Sequence, residues 1–201
     1  MLPILVAYAT TEGHTRKIAE FIAERLRIRG HRVDLVDTAT PAAAAAVTVA
    51  YQGAILAGSV HQQEHPKSLA QFVKRNHAWL IALPCAVFSV SLTAALDDLE
   101  SRIETRRLLH DFVDDCELKP VAMHCVAGAL KYTQYDYFKR VLMRMIARQR
   151  GQSTDTSKDC EYTDWDELEA EVDGFLVKAG IPVPQAASEL GASVMPIRVR
   201  P

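Results

Sequence analysis

Apolar stretches of strand length alternate with stretches of helical period along most of the chain. Residues 2–8 form a nearly continuous apolar run, followed by Ile18, Phe21, Ile22 and Leu26 at the spacing of one helix face. That helix is expected to stop near Gly30. Val33, Leu35 and Val36 predict a short second strand, and the run GAILAGSV from Gly53 a third. The near absence of polar residues in that run is expected of a strand covered on both faces. SLAQFVKRNHAWL then predicts a helix, PCAVFSVSL a fourth strand, residues 97–115 a charged helix, and KPVAMHCVAGAL a fifth strand. DWDELEAEVDGFLVKAG predicts the last helix, with Asp164 as N-cap and Gly180 as stop signal.

Such alternation implies an α/β protein built on an open parallel sheet with helices on both faces. Two stretches stand apart. The alanine-rich TPAAAAAV at 40–47 suits either a helix or a loop. Residues 131–160 far exceed the usual connection of about 2–6 residues between a strand and a helix, and so predict an insertion after the fifth strand. The expected organisation is one domain over 1–180 and a Pro-containing, loosely packed tail over 181–201.

Composition narrows the class. With 201 residues, 49% apolar and 24% charged, the chain is an ordinary globular domain with enough length for a sizeable core. A net charge of −2 gives no general attraction to nucleic acid, and none is expected as a partner. The four cysteines are scattered, without the paired spacing of a zinc or redox site, so no metal is expected and the thiols suit a reducing compartment. The opening apolar run lacks a basic leader, and no run of about 18 uncharged apolar residues occurs. The expected location is cytoplasmic.

The candidate chemistry begins where the first strand ends. Thr10, Thr11, Glu12, Gly13, His14 and Thr15 carry the chain from strand to helix. A helix entrance offers unpaired N–H groups and a partial positive charge, and the threonines add hydroxyl donors. These residues suit an anion, although three threonines there are equally suited to capping the helix. The loop has no GxxxxGK[ST] and no GxGxxG pattern, which argues against a nucleoside triphosphate or a dinucleotide.

The loop resembles the flavodoxin phosphate loop: Thr10, Thr11, Gly13 and Thr15 fall on its hydroxyl and glycine positions, and Glu12 and His14 fill its variable places. That resemblance implies FMN, its phosphate held by neutral donors, on a five-stranded sheet of order 2-1-3-4-5. It also places the flavin ring over the loops after strands three and four. Gly58, Ser59 and Val60 would then allow close approach, and Ser89, Val90, Ser91 and Leu92 would offer donors and contacts at the ring edge. Gly128 and Ala129 complete the expected set at the end of strand five. His61 reads as a surface histidine, and no acid–base residue is assigned.

Within the insertion, Phe138, Val141, Leu142, Met145 and Ile146 share one helical face, and Lys139, Arg140, Arg144, Arg148 and Arg150 occupy the rest. Residues 131–150 carry a net +5, which leaves −7 for the remainder. A basic amphipathic segment on an acidic protein suits an anionic membrane surface; a core-packed helix with a solvated basic face fits the same pattern.

The segments Gly128-Ala129-Leu130-Lys131-Tyr132, Thr154-Asp155-Thr156 and Tyr162-Thr163-Asp164-Trp165, with the FSVSL stretch, resemble the flavodoxin-like, quinone-dependent protoporphyrinogen oxidases (dehydrogenases) of haem synthesis. The resemblance spans roughly residues 1–178 and departs from the family at Ser59–Glu64 and at Thr133, where a proline is common. It implies an FMN enzyme that oxidises protoporphyrinogen IX and passes electrons to menaquinone or ubiquinone in a membrane. Lys139, Arg140, Arg144 and Arg148 would then meet the porphyrinogen propionates or the membrane surface, with the protein peripherally held at the inner face of the cell membrane. The resemblance also leaves room for a homo-oligomer. The competing readings are a flavodoxin-type electron carrier and an NAD(P)H:quinone reductase on the same fold.

Overall fold

The structure is a computed structural model that describes residues 1–41, 43, 50–130 and 160–184. Five strands form one parallel sheet: β1 (Ile4–Ala9), β2 (Val33–Asp37), β3 (Gly53–Ser59), β4 (Cys85–Ser91) and β5 (Ala122–Ala127), in the order β2-β1-β3-β4-β5. Among the described residues, four helices connect or flank them: α1 (His14–Ile28), α2 (Lys67–Leu80), α3 (Leu99–Asp115) and α4 (Trp165–Lys178). The α/β architecture and strand order are those expected from the sequence. Residues 42 and 44–47 of the alanine-rich stretch lie outside the described residues, as does the whole basic segment with Lys139, Arg140, Arg144 and Arg148.

Strand side chains alternate between two cores. Ile4, Val6, Tyr8, Ile55, Phe88 and Val90 pack against Ile18, Ile22 and Leu26 of α1 and Val172, Phe175 and Leu176 of α4. Leu5, Ala7, Leu56 and Val87 pack on the other face against Leu69, Phe72 and Val73 of α2 and Leu109, Phe112 and Val113 of α3. Every residue of β1 and β4 is buried, which is why β1 is an unbroken apolar run and β4 carries nothing more polar than two serines and a cysteine. Each such aliphatic or aromatic side chain contributes about 1.5–3 kcal/mol on leaving water, and this apolar burial dominates the fold's favourable free energy.

The helix ends show how local sequence sets the boundaries. Asp164 accepts hydrogen bonds from the Asp166 and Glu167 N–H groups and starts α4, as expected. Gly180 ends it in the left-handed region at φ +63°, with Gly180 N–H donating to Val177 and Ile181 N–H to Leu176. This is a Schellman closure, and Gly30 at φ +86° closes α1 by the same two bonds, to Arg27 and Leu26. The chain just after Gly180 is not loose: Ile181 is buried in the α1–α4 core.

Strand five departs from expectation. The run expected to be continuous breaks at Gly128, and Ala129–Leu130 (β6) leaves the sheet to pair antiparallel with Cys160–Glu161 (β7). The reason is the partner: β4 ends at Ser91, whose carbonyl takes the Gly128 N–H, and among the described residues no strand lies beyond it to continue the ladder. β6 and β7 therefore form a neck through which residues 131–159 leave and return.

Candidate functional site

The parallel strands deliver their carboxyl ends to one edge of the sheet, where ligands of open α/β sheets bind. There the loop after β1 meets those after β3, β4 and β5 around an open cleft. Thr10, Thr11, Glu12, His14, Thr15, Ser59, Val60, His61, Val90, Gly128 and Ala129 line it.

The loop before α1 is built without a helix cap. Gly13 takes φ +92°, and its N–H donates to Thr10 Oγ1 at 2.9 Å, one step ahead of the helix. No side chain caps α1. Thr11 Oγ1 instead lies 3.3 Å from Ser59 Oγ, bridging to the loop after β3, and Thr15 is buried in the first turn. Thr10 takes the N–H just ahead of the helix and Gly13, at the N-cap, has no side chain to cap it, so the start of α1 faces the cleft. Among the described residues no lysine or arginine lines the cleft. Arg16 is paired with Glu20 at 2.8 Å and Lys17 with Glu161 at 2.6 Å, and the Lys17 hydrogen bond holds the Glu161 carboxyl below its ordinary pKa.

The loops after β3 and β4 are tied by a Val60 N–H to Val90 carbonyl bond of 2.7 Å. After Val60 the chain turns tightly at His61–Glu64, with Gln62 at φ 51° and Gln63 at φ 66°. At the β5 end, Thr163 donates to the Ala127 carbonyl at 2.7 Å and lies 2.7 Å from His14 Nε2.

Several residues expected to face a flavin are placed elsewhere. Ser89 points away from the cleft between α2 and α3, where it is buried with its hydroxyl 3.0 Å from His65 Nε2. Ser91 Oγ accepts from Ala94 N–H and shapes the short 3₁₀ turn Thr93–Ala95, and Leu92 is buried at the head of that turn. Gly58 serves α2: a methyl group there would come within 2.8 Å of Leu69 Cδ2 and 3.0 Å of His65 Cδ2. Conversely, His61 lines the cleft, and Thr163 touches the loop before α1 from a position that strand and helix patterning could not connect to it. The only sequence signal for Thr163 was its place in the Tyr162–Trp165 stretch.

The sequence profile of the flavodoxin domain family matches residues 5–157. A protoporphyrinogen IX dehydrogenase [quinone] of Leishmania major is 33% identical over 165 residues, which cover 80% of this chain and 69% of that protein. Its counterpart in Escherichia coli strain K12 is 26% identical, covering 82% of this chain and 89% of that one. A short-chain flavodoxin associated with a bacterial microcompartment superposes with a TM-score of 0.56 at 13% identity, covering 89% and 99% of the two chains, a likeness of fold. The chain belongs to the flavodoxin domain family and, within it, to the family of the quinone-linked protoporphyrinogen IX dehydrogenases.

Proposed function

We propose that the protein oxidises protoporphyrinogen IX to protoporphyrin IX with bound FMN and a membrane quinone as electron acceptor, in haem synthesis. The observation that carries this reading is the uncapped, hydroxyl-lined entrance of α1 in a chain one third identical to a protein of that name.

The residues suit a phosphomonoester. Backbone N–H groups at the start of α1 and the hydroxyls of Thr10, Thr11, Thr15 and Ser59 supply donors. The α1 end supplies partial positive charge without a cation. Val60, Val90, Gly128 and Ala129 give the adjoining walls a small, largely apolar surface on which a planar ring can lie. Bound there, FMN supplies two-electron redox chemistry, and the protein orients it and tunes its surroundings. The roles of Ser89, Ser91, Leu92 and Gly58 in this reading are to shape the loops and packing behind the cleft. No described side chain is required as an acid or base.

The basic segment containing Lys139, Arg140, Arg144 and Arg148 lies outside the described residues, and we assign it to contact with anionic lipid at the inner face of the cell membrane or with the substrate's propionates. Among the described residues no helix is long and apolar enough to cross a membrane. Peripheral attachment through that segment would bring the cleft to a lipid-dissolved quinone. The test is turnover of FMN-loaded protein with protoporphyrinogen and a menaquinone analogue, set beside NADPH with the same quinone. Oxidation of the porphyrinogen alone supports the assignment; NADPH-driven reduction alone identifies a quinone reductase, and neither activity leaves an electron carrier.

A further inference from the structure

The stretch Tyr162-Thr163-Asp164-Trp165 follows directly on β7, the returning limb of the neck, and redox chemistry at the cleft makes no demand on it. Its residues nevertheless converge on the first turn of α1. Tyr162 N–H donates to the Gly128 carbonyl at 3.0 Å. Thr163 has one hydroxyl proton and gives it to the Ala127 carbonyl, so the 2.7 Å contact with His14 runs from the ring Nε2–H to Thr163 Oγ1. That contact fixes which His14 nitrogen carries the proton.

Trp165 completes the arrangement. Its ring packs on Phe21 at 4.9 Å, meets the His14 ring edge-on at 6.3 Å and lies 5.0 Å beneath Lys17 Nζ. Its Nε1 donates to Glu161 Oε1 at 2.8 Å, and the other Glu161 oxygen accepts from Lys17. His14 and Lys17, one turn apart on α1, are thus gripped by Glu161, Thr163 and Trp165.

We propose that this clasp couples cofactor-phosphate binding to the stability of the β6–β7 pairing, with Thr163 as a positioning residue acting on the phosphate loop through His14. The inference rests on the assignment of the loop before α1 to a flavin phosphate. A phosphate that orders the start of α1 steadies His14 and Lys17, and through them β7. By thermodynamic linkage, whatever steadies the neck must tighten phosphate binding by the same factor.

The test compares FMN with riboflavin, which shares the ring and lacks the phosphate. Thr163→Val removes both hydroxyl bonds while keeping the side-chain shape. It should weaken FMN about five- to tenfold, riboflavin less than about twofold, and Thr163→Ser should restore most of the loss, as expected for about one net hydrogen bond. In the unmodified protein, FMN should slow amide hydrogen exchange at Gly128 and Tyr162 more than saturating riboflavin does. That measurement needs no variant. If the wild-type protein prefers FMN and either leg fails, the coupling is wrong and the phosphate loop stands. If the wild-type protein binds both flavins equally, the phosphate loop itself is misassigned and the coupling falls with it.

Discussion

The His65 imidazole Nε2 lies 3.0 Å from the buried Ser89 hydroxyl, on the α2–α3 side of the sheet, with the Phe112 ring 4.6 Å away. Burial pushes the His65 pKa down to about 4, so the folded protein keeps this ring neutral where an unfolded chain, at about 6.5, begins to bind a proton. The contribution to stability is therefore fully present above about pH 6.5 and is lost as pH falls toward about 4. Its slope is at most about 1.4 kcal/mol per pH unit, less whatever solvent screens at the ring's open edge. Buried His31, also lowered by burial, adds to the loss in the same direction. Urea unfolding at pH 7 and pH 5 should show a clear drop for wild type and a smaller drop for His65→Gln; equal drops would exclude His65 as a source.

Gly58 is held by packing, so Gly58→Ala should reveal itself in stability before it does in ligand choice. The new methyl group meets Leu69 Cδ2 at 2.8 Å, on a side chain that is fully buried. A cost of about 1–3 kcal/mol is expected from overpacking, measured by chemical denaturation, with the preference for FMN over riboflavin retained.

Glu117 offers the opposite experiment. It ends α3 at φ +50°, with the Glu117 and Leu118 N–H groups bonded to Asp114 and Val113 just as Gly30 and Gly180 end their helices. A side chain in that conformation is strained by about 1–2 kcal/mol, and glycine relieves it at some cost in unfolded-chain entropy. Glu117→Gly should stabilise the fold by roughly 0.5–1 kcal/mol, visible as a raised denaturation midpoint with an unchanged slope.

The uncapped entrance of α1 leads to a prediction about ligand chemistry. Thr11→Val with Thr15→Val removes two hydroxyls from the cleft wall. FMN binding should weaken by about 1 kcal/mol for each hydroxyl that bonds phosphate, whereas riboflavin binding should change little. Fluorescence titration with both flavins decides it, and equal losses would show that these hydroxyls do not reach a phosphate.

For the basic segment, replacement of Arg140, Arg144 and Arg148 by glutamine should reduce binding to anionic vesicles by about 1 kcal/mol per charge. Flavin content should be unaffected, and turnover should fall more with a vesicle-embedded quinone than with a water-soluble one. Added salt should imitate the substitutions in the wild type, because the Debye length shrinks from about 10 Å at 0.1 M to about 3 Å at 1 M. Equal loss with both acceptors, without any vesicle binding, would restrict the segment to packing or substrate contact.

The alternation of strands and helices was legible because strands covered on both faces become unbroken apolar runs, and the boundaries at Asp164 and Gly180 rest on bonds made within a few residues. The break at Gly128 was not, because what ends strand five is the end of its neighbour at Ser91, far away in sequence. Ser89 illustrates a subtler limit. In a strand buried throughout, period two says that Ser89 opposes Phe88 and Val90, but not which face holds ligand. Gly58 was recognisable as a close approach without any indication of what approaches. Thr163 and His14 lie 149 residues apart, and only the assembled sheet edge could pair them.

The neck of Ala129 and Leu130 against Glu161 and Cys160 has a meaning for descent as well as for folding. A chain that departs and returns at adjacent points attaches its intervening 29 residues to the sheet at a single place. Each doubling of such a loop adds only about 0.6 kcal/mol to its closure. Lengthening, trimming or wholesale exchange of that segment leaves the register of all five strands undisturbed. Changes in that segment can then accumulate at a pace of their own, on a sheet that never has to be rebuilt.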